Sequence, residues 1–139
     1  MRRLLTVIVM LATLVVAASG CTGSTEVQTD LNAIATAQDT AATTLLLTAM
    51  VAATTYAGTS GAGYAAFNAA SAAQDEPGIK WTDGAAAQGV VAIRGATSDD
   101  LVLVTKSASG DALCLAQSAA GQTKGKVDAA NAADCTGGW

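Results

Sequence analysis

Three patterns of apolar residues follow one another along the chain. Residues 4–16 are apolar except for Thr6 and Thr13. From Val27 the apolar positions recur at three- or four-residue steps through Leu31, Ile34, Ala41 or Ala42, and Leu45, which places them on one helix face. Thr29, Asn32, Thr36, Asp39, Thr40 and Thr43 fall on the opposite face. Thr25-Glu26-Val27-Gln28 fits a capping box, Glu26 and Asp30 suit the positive end of the helix dipole, and no Gly or Pro follows until Gly58. The spacing therefore predicts a helix over residues 25–57, most completely buried around residues 45–53. At about 1.5 Å per residue it would be roughly 50 Å long, enough for part of it to act as a stalk.

After Gly58 the period is lost and then shortens. Residues 58–63 are rich in Gly, Ser and Thr and read as a loop. Asn68 is a candidate N-cap for a short helix through Ala73, stopped by Pro77-Gly78, and Tyr64, Phe67 and Trp81 are expected to pin this connection, residues 58–88, onto the core. Residues 89–94 and 101–106 are β-branched runs separated by Gly95 and Thr97-Ser98-Asp99-Asp100, and a hairpin-type link over residues 107–111 leads into a third run, residues 112–117. A weaker fourth strand takes in residues 123–127, which completes a sheet region over residues 89–127; residues 128–139 form an irregular tail. One helix followed by consecutive strands with short links predicts an α+β fold, a long N-terminal helix on one face of a three- to four-stranded antiparallel sheet.

Composition narrows what such a fold can do. From Cys21 onward there are 30 Ala but only 19 Leu, Ile, Val and Phe, so the core is expected to be thin and Ala-lined. The same stretch holds five basic residues (Lys80, Arg94, Lys106, Lys124, Lys126) against eleven acidic ones, a net charge of −6 that offers no electrostatic footprint for nucleic acid or polybasic contact with a membrane. The chain has no His, which removes Ser-His and Cys-His catalysis, His-ligated metal and imidazole acid-base chemistry. Asp128 with Asp134, or Asp99 with Asp100, lack the alternating ligand spacing of a calcium loop and read as solvated charges. No cofactor, no metal and no catalytic residue is expected, and the chain reads as a non-enzyme.

The amino end carries the sharpest motif. Met1-Arg2-Arg3 is a charged start, the apolar stretch follows, and Ala17-Ala18-Ser19-Gly20 precedes Cys21, the layout of a bacterial secretory signal over residues 1–20. Ala18-Ser19-Gly20-Cys21 resembles a lipobox, in which the Cys thiol receives diacylglycerol and signal peptidase II cuts on its amino side. On that reading Cys21 is the lipid attachment residue, residues 21–24 are a short tether, and the protein is held at the extracytoplasmic face of the cell membrane. Ordinary cleavage, with Cys21 left as a thiol, and an uncleaved anchor remain as alternatives, the second weakened because the apolar run is shorter than the roughly 20 residues a spanning helix needs. Three Cys in an exported protein leave one over. If Cys21 carries lipid, Cys114 and Cys135 remain as a disulfide pair in an oxidising compartment.

Residues 25–139 together resemble the globular region of a type IV pilin or pseudopilin. The matching pieces are the helix of residues 25–57, Thr54-Thr55-Tyr56 through Phe67, the strands of residues 89–117, and Cys114 with Cys135 in Ala133-Asp134-Cys135-Thr136-Gly137-Gly138-Trp139. The resemblance implies a helix packed by its carboxy-terminal half on the sheet and a disulfide closing the last loop. Pilin precursors also place a Gly-Phe processing site before the apolar stretch and a Glu just inside the mature chain; Met1-Arg2-Arg3-Leu4 has neither, and Glu26 lies after the apolar stretch. The expected function is that of a cell-envelope lipoprotein whose pilin-like domain presents a surface to an envelope or pilus protein. The alternatives are a minor pilin or pseudopilin subunit and a small-ligand-binding envelope protein. Contacts are expected at residues 58–77 and in the disulfide loop, and Trp139 is expected to plug that loop.

Overall fold

The computed structural model describes residues 23–139, with side chains from Gln28 onward. The expected secretory segment of residues 1–20, Cys21 and the start of the expected tether lie outside the described residues. The elements are α1 (Gly23–Ser60), α2 (Ala69–Asp75), β1 (Lys80–Thr82), β2 (Val90–Arg94), β3 (Leu101–Lys106), β4 (Ala112–Ser118), β5 (Gly121–Gly125) and a 3-10 turn at Ala132–Asp134. This is an α+β protein with one long N-terminal helix and a five-stranded sheet in the order β1-β2-β3-β4-β5. Residues 35–139 form one compact unit, and the described residues before Ala35 belong to another.

α1 is longer than its sequence signals at both ends. Its backbone is already helical at Gly23, so Thr25 is not its cap, and it runs through Gly58 to Ser60, with Gly61 at φ +69° just beyond. Within the compact unit Ala42, Leu46, Ala49, Met50 and Ala53 are buried at steps of one and two helix turns, as a single packed stripe requires. Leu31 and Ile34, expected on the packed face, are more than half exposed. The threonines of the helix are accommodated by turning their hydroxyls inward. Thr40, Thr44, Thr48, Thr54 and Thr55 each donate to the carbonyl four residues back, so the backbone takes up the hydroxyl proton.

The sheet is mixed, not antiparallel throughout. β2, β3, β4 and β5 form the expected antiparallel meander, but β1 joins its edge parallel to β2, with Trp81 opposite Val91. Parallel neighbours usually need a crossover of a dozen or more residues. Here residues 83–89 suffice because β1 is three residues long and the return path is correspondingly short. The return is fastened by Thr105, whose buried hydroxyl donates to Val90 O at 2.8 Å, and by the Lys106 amide donating to Ala87 O at 3.3 Å. β5 lies two residues earlier than residues 123–127, because β4 turns directly through Ala119-Ala120 and pairs Ser118 with Gly121.

Both faces of the sheet are covered. Val91, Ile93, Leu101, Leu103, Leu113 and Leu115 pack with Ala42, Leu46, Ala49, Met50 and Ala53 of α1. Ala92, Val102, Val104, Cys114 and Ala116 point the other way, onto Ala86, Ala129 and Cys135. Burial on both faces explains why Leu101-Val102-Leu103-Val104 and Leu113-Cys114-Leu115-Ala116 are continuous apolar runs without polar alternation. The helix-to-sheet connection is pinned by its aromatics as expected. Phe67 is buried, 5.2 Å from the Tyr56 ring and edge-on to Trp81 at 5.6 Å. Asn68 caps α2 reciprocally with Ser71.

Candidate functional site

The two predicted disulfide residues meet. Cys114, in the middle of β4, and Cys135, after the 3-10 turn, are bonded with Cα atoms 5.8 Å apart, and both are fully buried. Ala129, Ala132 and Cys135 are thereby held on the sheet face away from α1, while Trp139 at the chain end packs with the α1-side cluster. Asn131 caps the 3-10 turn by accepting from the amides of Ala133 and Asp134, and its side chain also donates to the Asp134 carboxylate at 2.6 Å. Arg94 pairs with Asp128 at 3.6 Å, so these two acidic residues serve the tail's own geometry. Trp139 closes the loop: its Nε1–H lies 3.1 Å from both the Cys114 and the Gly125 carbonyls. Lys124 Nζ stands 4.9 Å from the centroid of its ring.

A second constellation, not anticipated from the sequence, forms where α1, the β3–β4 turn and the segment after β5 converge. Asp39 Oδ2 accepts from Lys126 Nζ at 2.6 Å, and Asp39 Oδ1 accepts from Ser109 Oγ at 3.3 Å. The Asp39 side chain is only 18% exposed although it lies in the polar row of the helix. The hydrogen bond from Lys126 holds its carboxyl below the usual carboxylate range, helped by Ser107 and Ser109 against a smaller opposing effect of burial. The same bond raises the pKa of Lys126. The turn that supplies the serines is fixed by Ser107 N to Asp111 O at 2.9 Å and by Gly110 at φ +97°.

Beside this pair is a groove of about 290 Å³ lined by Thr36, Asp39, Thr40, Thr43, Lys126 and Trp139. Its walls belong to one helix face and to a segment anchored by the disulfide. Thr40 and Thr43 donate their hydroxyl protons to the carbonyls of Thr36 and Thr40, leaving their oxygens as acceptors. Among the described residues, no group of three or more His, Cys, Asp or Glu is placed to hold a metal ion. The local sequence hints were weak: Asp39 is the one charged residue of α1 after Asp30, and Lys126 lies 87 residues away. No family model matches the chain, and no curated protein or solved structure is significantly similar to it.

Proposed function

We propose that this protein is a non-enzymatic lipoprotein of the bacterial cell envelope, anchored through diacylglycerol on Cys21, whose pilin-like α+β head presents an interaction surface to another envelope or pilus component. The observation that carries the reading is the cysteine pairing. Cys114 and Cys135 are joined, so the remaining cysteine is Cys21, placed directly after Ala18-Ser19-Gly20 and an apolar stretch with a basic start. The helix-then-sheet order and the disulfide-closed tail support the pilin-like head. The parallel β1 edge departs from the purely antiparallel sheet that consecutive strands with short links predict.

The segment Gln28–Ser60 is long and apolar enough to cross a bilayer by length and composition, a test that the core helix of a soluble domain also passes. Its buried stripe and the Asp39–Lys126 pair favour the domain-core role for residues 35–60. A minor-pilin reading draws on one observation, the exposure of Leu31 and Ile34 on α1, which leaves apolar surface for a neighbouring subunit.

Metabolic labelling with an alkyne fatty acid tests the anchor. The wild-type chain should take up label and fractionate with membranes, whereas Cys21→Ala should lose the label. Equal labelling of both, or none of either, contradicts lipidation at Cys21.

A further inference from the structure

We propose that the groove lined by Thr36, Asp39, Thr40, Thr43, Lys126 and Trp139 binds a neutral saccharide unit. The site goes beyond the anchoring role and stands whether or not Cys21 carries lipid. Its volume of about 290 Å³ lies at the lower end of small-molecule sites, the size of a compact ligand and not of a peptide segment.

Charge selects the ligand class. Asp39 and Lys126 are 2.6 Å apart and cancel each other, so an incoming anion meets the carboxylate and an incoming cation meets the ammonium. A polyol carries no charge and brings donors and acceptors together, which is what this lining asks for. Lys126 uses one of its three N–H donors on Asp39, and its side chain is half exposed. Thr40 and Thr43, with their protons committed to backbone carbonyls, offer acceptor oxygens and methyl groups. The indole of Trp139, which carries Lys124 Nζ 4.9 Å from its centroid, supplies the aromatic part of the lining, against which the C–H face of a pyranose ring packs. One N–H shared between the Cys114 and Gly125 carbonyls fixes that indole before any ligand arrives, which lowers the ordering cost of binding.

The competing role is purely structural, with Asp39–Lys126 clasping the helix to the sheet and nothing entering. Saturation-transfer NMR on the full chain in a sugar-free zwitterionic detergent separates the two. The probes are cellotriose, maltotriose and chitotriose at millimolar concentration, with inorganic phosphate as the anionic control. We expect saturation transfer to the ring protons of at least one oligosaccharide, with shifts at the Trp139 indole N–H and the Lys126 amide and none with phosphate. Lys126→Met should weaken that binding roughly tenfold, as expected for losing a charged hydrogen-bond donor. Thr43→Val, nearly isosteric at a half-buried position, should also weaken it, while Lys80→Met on β1, the opposite edge strand of the sheet, should not. Absence of transfer to all three sugars, binding unchanged in both groove variants, or equal shifts with phosphate would each overturn the proposal.

Discussion

Asp39 sits in a row of threonines that faces water along most of α1, yet its carboxylate is held by groups 70 and 87 residues further on. Because its pKa is lowered from 3.8 on folding, the unfolded chain binds the proton more tightly. The stability contributed by the pair is therefore present above the ordinary carboxylate range and disappears as pH falls through 3.8 and on through the lower folded-state value. Asp39→Asn should lower stability at neutral pH, and the difference from wild type should shrink as pH falls below 3.8 in urea denaturation. Two glycines carry a different constraint. A Cβ on Gly125 would overlap the Thr136 backbone, and one on Gly63, at φ +60°, would overlap the Ser98 carbonyl. Gly125→Ala or Gly63→Ala should each cost more than about 2 kcal/mol by the same measurement, unlike Gly58→Ala, which lies within α1 with no neighbour within 4 Å of the added Cβ. Residue-scale features with local signatures were legible in advance, Asn68 as a cap and Cys114 with Cys135 as a pair. The Asp39–Lys126 contact was not, because a pairing across such sequence distance leaves no periodic trace.

At the scale of elements, the central question is which face of α1 does the packing. Leu46 is fully buried and its neighbour Leu47 is 48% exposed. Leu46→Ala should cost about 2–5 kcal/mol, and Leu47→Ala should stay within about 0.5 kcal/mol; comparable losses would mean the helix is rotated from the orientation described. Helix periodicity made residues 42–53 readable, but Leu31 and Ile34 share that period without being covered, since periodicity reports a face and not its partner. β3 and β4 stood out as apolar runs. β1 did not, because Lys80-Trp81-Thr82 is too short to show alternation and is a strand only through pairing with β2. β5 slipped by two residues because the Ala119-Ala120 turn contains neither Gly nor Asn to mark it.

For the whole molecule, a thin core is compensated by covering both sheet faces, with α1 on one and the disulfide-tied tail on the other. The bond joins residues 21 apart, and its loss should cost about 3 kcal/mol, equivalent to a fall of roughly 12 °C or more in Tm for a domain near 100 residues. Thermal unfolding of Cys114→Ala/Cys135→Ala checks this; an unchanged Tm would show that the tail packs without its tether. An oxidising compartment is the setting in which such a bond persists, and the proposed export by residues 1–20 would supply it. The most direct test of the account is the intact mass of the protein recovered from its native membrane under non-reducing conditions. The account predicts a chain beginning at Cys21, heavier by a diacylglycerol group and lighter by two hydrogens at Cys114 and Cys135. A mass that retains residues 1–20 and carries no lipid would contradict it and move the filament-subunit reading to first place.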